Sequence, residues 1–83
     1  GNQPLWLRTE RGEVWVFCPR CNRRCYKADE KIASACGQMF YRDGCPVCHS
    51  LVVGRLNRTT MRLYLTCSAH PQHFYEPLDK LFL

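Results

Sequence analysis

Apolar and polar residues alternate strictly from residue 61 to residue 66, which is the clearest pattern in the chain. A period of two is typical of a β-strand with one buried face, so Met61, Leu63 and Leu65 are predicted to share that face. Residues 13–17, which are rich in valine and aromatic side chains, predict another strand. Two further strands are predicted over residues 38–42 and 50–55.

One helix is expected between these strands. Residues 27–35 have helix-forming composition, and Gly37 is predicted to end the helix, because glycine readily adopts the left-handed conformation common at helix ends. Residues 78–83 are strongly apolar and are predicted to pack on the core or on a partner. Leu5-Trp6-Leu7 is expected to form a short edge strand or to dock on the core.

These elements predict a single small β-rich (α+β) domain over residues 1–83, built mostly from antiparallel strands with at most one short helix. A chain of 83 residues is short for a hydrophobic core. Domains of this size bury only about 60% of the surface of the unfolded chain, and they often need disulfides or a metal ion as well.

Seven cysteines are candidates for that reinforcement. Four of them form two C-P-x-C hooks, the first from Cys18 to Cys21 and the second from Cys45 to Cys48. A tight turn points both sulfurs of a hook the same way, and proline suits such a turn. A single hook also occurs as a redox pair, whereas two hooks in one short chain indicate zinc.

The cysteine count favours zinc over disulfides, because seven is odd and full pairing would leave one thiol over. No signal peptide or membrane-spanning apolar run is visible, so a reducing intracellular location, cytoplasm or nucleus, is expected. Seven cysteines and one histidine make eight ligands, which is two closed tetrahedral zinc sites. Closed sites are structural and no catalytic constellation is visible, so the chain is predicted not to be an enzyme.

The predicted zinc ligands are Cys18, Cys21, Cys25, Cys36, Cys45, Cys48, Cys67 and His73 or His70. Two partitions are possible. In the first, the two hooks share one zinc, and the remaining three cysteines and the histidine hold the other. In the second, the sites follow chain order: the first hook, Cys25 and Cys36 hold one zinc, and the second hook, Cys67 and the histidine hold the other.

Both partitions place Cys25 and Cys36 on the same metal. A straight helix would separate these residues by roughly 16 Å, whereas ligands of one tetrahedral zinc lie about 4 Å apart. Either the helix is short and bent back, or Cys25 is not a ligand but a small buried apolar residue.

The first hook and its flanks, VWVFCPRCNRR at residues 14–24, resemble the first half of several bacterial and phage-associated zinc ribbons. In those ribbons an aromatic strand enters the hook and arginines follow it. CPVCHSL at residues 45–51 resembles their second half. The resemblance implies zinc-ribbon-like antiparallel hairpins and favours the first partition.

A second resemblance favours the other partition, because part of the chain is similar to the C-terminal zinc ribbons of type IA topoisomerases, which bind single-stranded DNA. The matching residues are CPVC at 45–48, Leu51, Val52, Arg55, LTCS at 65–68 and Pro71. In that register the fourth ligand falls at His73, where the family has cysteine, whereas C-x-x-H spacing after Cys67 favours His70. The glycine that follows the hook in the family is His49 here, which is predicted to cap or pack rather than to bind metal.

The net charge of +5 favours a polyanionic partner. Arginines cluster near the first hook and on the later hairpin, with tyrosines between them, and this combination suits unpaired bases stacked on rings with phosphates on the cations. The predicted nucleic-acid contacts are Arg20, Arg23, Arg24, Lys27, Arg55, Arg58, Arg62 and Tyr64. The alternative is a solubilising surface with the tyrosines in the core.

The predicted function is therefore a structural-zinc module that binds nucleic acid, preferably single-stranded, in transcription, replication or genome maintenance. The alternative is a protein-interaction module, including a RING-like adaptor, because the first partition is interleaved as in a RING cross-brace. Neither a membrane nor a small-molecule substrate is expected as a partner.

Overall fold

The computed structural model describes residues 7–18, 20–21 and 23–82. Over these residues the chain forms two three-stranded antiparallel sheets, one α-helix and two short 3-10 segments. The elements in chain order are β1 (Leu7–Glu10), β2 (Glu13–Phe17), β3 (Arg24–Lys27), α1 (Glu30–Phe40), β4 (Val52–Asn57), β5 (Arg62–Cys67), the 3-10 segment Pro71–His73, β6 (Tyr75–Pro77) and the 3-10 segment Leu78–Phe82. The prediction of a small β-rich domain with antiparallel hairpins and one short helix is confirmed.

The first sheet has the strand order β1-β2-β3. Its central strand, β2, covers the residues predicted from their valine and aromatic content, and Val14 turns inward and is buried. The pairing of β2 with β3 shifts register between Val16 and Phe17, which is a β-bulge. Leu7 begins β1, while Leu5 and Trp6 of the predicted N-terminal strand lie outside the described residues.

The second sheet has the strand order β4-β5-β6. The alternation predicted for β5 is confirmed at Leu63 and Leu65, which are both buried. Met61 departs from the prediction, because it lies in the turn before the strand and is 52% exposed. Its N–H donates to the carbonyl of Asn57 at 2.7 Å, which closes the turn between β4 and β5.

The helix begins later and ends later than the sequence predicts. Asp29 caps it, and the Asp29 side chain accepts a hydrogen bond from the N–H of Ile32 at 2.9 Å. The helix then continues through Gly37 to Phe40, so the predicted stop at Gly37 is wrong. The strand predicted over residues 38–42 is also wrong, because most of that segment forms the last turn of the helix.

Close packing explains why Gly37 lies inside the helix. A Cβ atom at this position would lie 2.9 Å from Leu65 Cδ2 and 3.0 Å from Val52 Cγ1. The missing side chain therefore lets α1 approach the second sheet closely. A glycine that supports packing and a glycine that ends a helix look the same in a single sequence.

One hydrophobic core joins the helix and both sheets. Its buried members are Val14, Ala28, Ala33, Cys36, Val52, Leu63, Leu65 and Leu78. The prediction that the apolar C-terminal segment packs on the core is confirmed, since Leu78 is fully buried and Leu81 and Phe82 pack against the cluster. In the described part of the chain, no helix has the length and hydropathy needed to cross a bilayer.

Candidate metal centre

Four of the predicted ligands converge at the end of the second sheet where β5 finishes. The sulfur atoms of Cys45, Cys48 and Cys67 and one ring nitrogen of His73 all lie within 4.8 Å of one another. We call this group the Cys3His cluster. Three sulfurs and one imidazole are a ligand set that zinc takes in closed tetrahedral sites. The cluster is therefore compatible with a structural metal site.

The turn of the second hook directs its sulfurs through three backbone hydrogen bonds. The N–H of Cys45 donates to the carbonyl of Ser50, and the N–H of His49 donates to the carbonyl of Cys45, both at 2.8 Å. The N–H of Val47 donates to Cys45 Sγ at 3.4 Å.

Two residues with positive φ shape this turn. Gly44 has a φ of 80°, and a Cβ atom there would lie 2.6 Å from the carbonyl oxygen of Ser50. His49 has a φ of 63°, although it carries a side chain. The backbone thus adopts at His49 the left-handed conformation that suits the glycine expected there. The ring Nδ1 of His49 lies 3.3 Å from the carbonyl oxygen of Asp43 and is not part of the cluster.

A short loop after β5 brings His73 back to the cysteines. The hydroxyl of Thr66, which is only 3% exposed, donates to the carbonyl of Pro71 at 3.0 Å. The N–H of His70 donates to Cys67 Sγ at 3.3 Å. These bonds fold the loop over the end of the sheet and carry the 3-10 segment Pro71–His73 to the second hook.

The structure distinguishes the two candidate histidines. His73 belongs to the cluster, and its buried Nδ1 has no hydrogen-bond partner among the described residues. Buried polar atoms are almost always paired, so an unpaired ring nitrogen on the histidine of the cluster is consistent with a missing metal partner. His70 is exposed and its ring centroid lies 4.6 Å from that of His73. The register of the topoisomerase-like resemblance thus places the histidine better than the C-x-x-H spacing does.

Two thiols of the cluster, those of Cys48 and Cys67, have pKa values shifted in opposite directions. The hydroxyl and the N–H of Ser50, with a smaller contribution from His73, lower the pKa of Cys48 from 9.0 to about 5. Burial raises the pKa of Cys67, whose sulfur lies 3.4 Å from that of Cys48. Cys48 is therefore a thiolate at neutral pH even without metal.

One backbone hydrogen bond of the first hook has a counterpart in the second. The N–H of Cys18 donates to the carbonyl of Arg23 at 2.9 Å, which spans the same number of residues as the Cys45–Ser50 bond. The N–H groups of Cys21 and Arg20 lower the pKa of Cys18, and the thiols of Cys21 and Cys25 lower it further. In the described part of the chain, however, the ligand atoms that lie within 4.8 Å of one another are those of the Cys3His cluster, which includes none of these three cysteines.

Cys36 lies elsewhere, and this corrects both partitions. It is 1% exposed within the hydrophobic core, and burial raises its pKa to about 11. An unionised thiol among apolar side chains is a packing residue, so Cys25 and Cys36 do not share a metal. The second hook is completed by Cys67 and His73, as in the second partition. In the described part of the chain, Cys18 and Cys21 do not join this cluster, so the geometry does not fit the two-hook zinc that the first resemblance favours.

The basic residues predicted to contact nucleic acid are all exposed, and they are distributed over both sheets and their turns. On the first sheet, Arg24 lies 3.4 Å from the carboxylate of Glu10, and Lys27 lies 3.4 Å from that of Glu13. The Arg24 guanidinium also stacks over the Trp15 ring, 4.9 Å from its centroid. These two cations are partly neutralised, whereas Arg20 and Arg23 remain exposed beside the first hook.

The outer face of the second sheet carries a different arrangement. Arg55 and Tyr64 are direct cross-strand partners, and the Tyr64 and Tyr75 ring centroids lie 5.2 Å apart. Tyr75 is 62% exposed. We call Tyr64 and Tyr75 the tyrosine pair. Sequence analysis missed Tyr75, because β6 has only three residues and follows an irregular loop.

The other two arginines of this hairpin differ from Arg55. Arg58 is exposed in the turn between β4 and β5. The guanidinium of Arg62 lies against Gly12 in the turn of the first sheet, where an added Cβ atom would be 2.6 Å from its Nη2. Arg62 therefore contacts the other sheet, and Arg55 is the cation placed beside the tyrosine pair.

Comparison of the chain with protein-family models, curated proteins and solved structures gives no match. The zinc-ribbon resemblances therefore stay predictions, and the functional argument depends on the geometry of the chain itself.

Proposed function

We propose that this domain is a structural-zinc module that binds single-stranded nucleic acid on the outer face of its second sheet. The observation that carries the proposal is the tyrosine pair beside Arg55, in which Tyr75 is exposed and Tyr64 is half-buried. The two ring centroids lie 5.2 Å apart. Aromatic rings stack on unpaired bases whatever their sequence, and a neighbouring cation binds the phosphates. Such a module suits a role in transcription, replication or genome maintenance.

In this proposal the zinc ion stabilises the position of β6 relative to β5. Tyr64 lies on β5 and Tyr75 on β6; Cys67 is the last residue of β5, and His73 lies in the connection that leads to β6. A zinc ion held by the Cys3His cluster fixes both ends of that connection relative to the second hook. Because a structural zinc contributes its binding energy to folding, the metal stabilises the position of β6 and thus the tyrosine pair.

The charge of the molecule supports a polyanionic ligand. The chain carries twelve lysine and arginine residues against seven aspartate and glutamate residues. Arg55 and Arg58 are exposed on the β4–β5 hairpin and are absent from the ion pairs found in the described part of the chain. Their phosphate contacts would make affinity fall steeply with salt concentration.

The proposal is tested with a fluorescently labelled oligonucleotide titrated with the zinc-loaded protein, using anisotropy as the readout. Tyr75→Ala should weaken binding by about 1–3 kcal/mol, which is the contribution of one stacked base. Tyr26→Ala is the matched control, because Tyr26 is 55% exposed on the first sheet. Wild-type affinity in Tyr75→Ala, or equal losses in both variants, would contradict the proposed face.

A protein partner is the second candidate, and a specific observation favours it. Val47 lies within the second hook and Leu51 follows it; they are 61% and 56% exposed, respectively. An interface built on these apolar side chains would depend little on salt, in contrast to phosphate contacts. The RING-like version has less support, because the ligands of the Cys3His cluster are consecutive along the chain and are not interleaved with the first hook.

The two candidates separate in one titration series at low and high salt. Binding of single strands at low salt that is lost at high salt supports the nucleic-acid module. Absence of binding at low salt, with wild-type zinc content, would contradict it and favour the surface formed by Val47 and Leu51.

A further inference from the structure

We propose that the outer edge of β3 (Arg24–Lys27) is a docking site for an extended acidic segment of a partner protein, which adds to the first sheet as a fourth strand. The edge of a sheet presents unpaired N–H and C=O groups that an extended chain can complete. This site lies on the first sheet, whereas the proposed nucleic-acid face lies on the second. The inference therefore goes beyond the proposed function and does not depend on it.

The outer edge of β4, in the second sheet, is already covered by the helix. The N–H of Gly54 donates to the hydroxyl of Ser34 at 2.8 Å, and the N–H of Leu56 donates to the carboxylate of Glu30 at 2.9 Å. Both acceptors belong to α1. Because these two donors are paired, an added strand would gain little at this edge.

The edges at β1 and β6 also suit an added strand poorly. The hydroxyl of Thr9 in β1 donates to the carbonyl of Asp79, so the C-terminal 3-10 segment lies beside this strand. β6 has only three residues, and the last of them, Pro77, has no N–H to donate.

The edge of β3 is open by contrast, and all four of its residues are exposed. The N–H of Ala28 donates to the carbonyl of Val14 at 2.9 Å, and the adjacent pair is Trp15 with Lys27. Hydrogen-bonded and non-hydrogen-bonded pairs alternate in an antiparallel ladder, so the backbone N–H and C=O of Lys27 point away from β2. Among the residues that the structure describes, no hydrogen bond to these outward groups is found.

A groove between β3 and α1 supplies a place for side chains of the added strand. Its volume is about 370 Å³, and its lining residues are Tyr26, Asp29, Lys31, Ile32 and Ala35. An added strand lies about 4.8 Å from its neighbour, and every second side chain points to one face of the sheet. The side chains on the face of Tyr26 would therefore enter the groove, while the backbone pairs with β3.

The charge around this edge selects an acidic strand. Residues 18–28 include four basic residues and no acidic one. Lys31 adds a cation in the groove, and the carboxylate of Asp29 accepts the capping hydrogen bond of α1. A second copy of this chain fits less well, because antiparallel pairing of two β3 strands would place Arg24 opposite Lys27 of the other copy. Like charges directly opposite each other destabilise a sheet.

Two variants of Lys27 test the edge. Lys27→Pro removes the outward N–H, and edge strands tolerate proline where the N–H faces solvent. Lys27→Gln is the matched control, because it removes the charge and keeps the N–H. The probe is a fluorescein-labelled eight-residue peptide of alternating glutamate and valine, titrated with the zinc-loaded protein and followed by anisotropy.

Lys27→Pro should weaken peptide binding about tenfold, since a backbone hydrogen bond is lost and the proline ring obstructs the added strand. Lys27→Gln should weaken it about twofold, as expected for one exposed charge. Zinc content and circular dichroism establish that both variants are folded. No binding of the peptide to the wild type, or equal affinities of the two variants, would overturn the proposal.

Methylated peptides test the same pairing without a change in the protein. One peptide carries methyl groups on the backbone nitrogens of its glutamates and the other on those of its valines, so the two have the same charge and composition. Since alternate N–H groups of a strand point to the same side, only one of the two peptides should lose affinity for the wild type. Equal affinities of the two methylated peptides would show that the contact is made by side chains alone, and the proposed strand addition would be wrong.

Discussion

The N–H of Gly54 in β4 donates a hydrogen bond of 2.8 Å to the hydroxyl of Ser34 in α1. The helix lies this close because Gly54 has no side chain. A Cβ atom on Gly54 would lie 2.7 Å from the backbone nitrogen of Ser34 and 2.8 Å from the carbonyl carbon of Ala33. The added Cβ atom would also meet the Cβ atom of Ala33. This contact between helix and sheet therefore includes backbone atoms, which cannot yield as side chains can.

Gly54→Ala should therefore destabilise the zinc-loaded protein by about 1–3 kcal/mol or more, as overpacking does. Gly37→Ala is the matched comparison, since its new Cβ atom meets only side-chain atoms of Leu65 and Val52. That variant also gains helix propensity of up to about 1 kcal/mol, so it should lose less stability than Gly54→Ala. Urea unfolding measures both, and equal losses would contradict the backbone contact.

His73→Ala should lose the zinc of the Cys3His cluster, whereas His70→Ala should keep it. Removal of a hydrogen-bond partner of a metal ligand already lowers affinity about 10–100-fold, and loss of the ligand itself should cost more. Chelator competition on the two variants provides the measurement. A wild-type zinc affinity in His73→Ala would show that its orphaned Nδ1 has another role.

Ser50→Ala should raise the pKa of Cys48 in the metal-free protein, because the Ser50 hydroxyl is the largest cause of its low value. The rise in the pKa should be partial, since the backbone N–H of Ser50 and the side chain of His73 still lower it. The rate of alkylation of Cys48 as a function of pH reports this pKa. A rate profile unchanged from wild type would contradict the role of the hydroxyl.

The pKa of Cys48 also determines how the stability of the metal-free protein changes with pH. The folded value of about 5 lies below the ordinary value of 9.0, so the folded metal-free state binds fewer protons than the unfolded state between these limits. The contribution of Cys48 to stability is fully present above pH 9 and is lost as the pH falls through about 5. Burial of Cys67 acts in the opposite direction. Ser50→Ala should therefore flatten the rise of stability with pH.

His49→Gly should stabilise the fold and leave the zinc content unchanged. His49 has a φ of 63°, and the left-handed conformation costs an ordinary residue about 1–2 kcal/mol, which glycine avoids. Part of that gain is offset by the greater entropy of glycine in the unfolded chain. A rise in Tm at wild-type zinc content is the expected result, and loss of zinc would mean that the His49 side chain binds metal.

Arg55→Gln should lower the slope of log affinity against log salt by roughly one unit, because one phosphate contact is lost. Arg24→Gln should leave the slope nearly unchanged, since Arg24 already contacts Glu10 and the Trp15 ring. Anisotropy titrations at three salt concentrations compare the two. A larger change of the slope in Arg24→Gln would indicate that the first sheet makes the phosphate contacts.

Local features of this chain could be predicted from its sequence, whereas the grouping of distant residues could not. The strand at residues 13–17 and the turns of both hooks depend on residues adjacent in the chain. The prediction of Cys36 as a metal ligand is wrong, because the spacing of cysteines in the sequence does not reveal that apolar residues surround Cys36 in the fold. His73 could be favoured only through a family register, since the bond between Thr66 and Pro71 that positions its loop is invisible in the sequence.

The packing of Leu78–Phe82 has a consequence for the order in which the domain folds. Leu78 is fully buried in the core, and the hydroxyl of Thr9 donates to the carbonyl of Asp79 at 3.3 Å, across 70 positions of the chain. Chains emerge from the ribosome with the N-terminal side first. The first sheet therefore emerges early but cannot complete its packing until residue 82 has been made. During that interval its apolar face needs protection, and contacts of such long range form slowly.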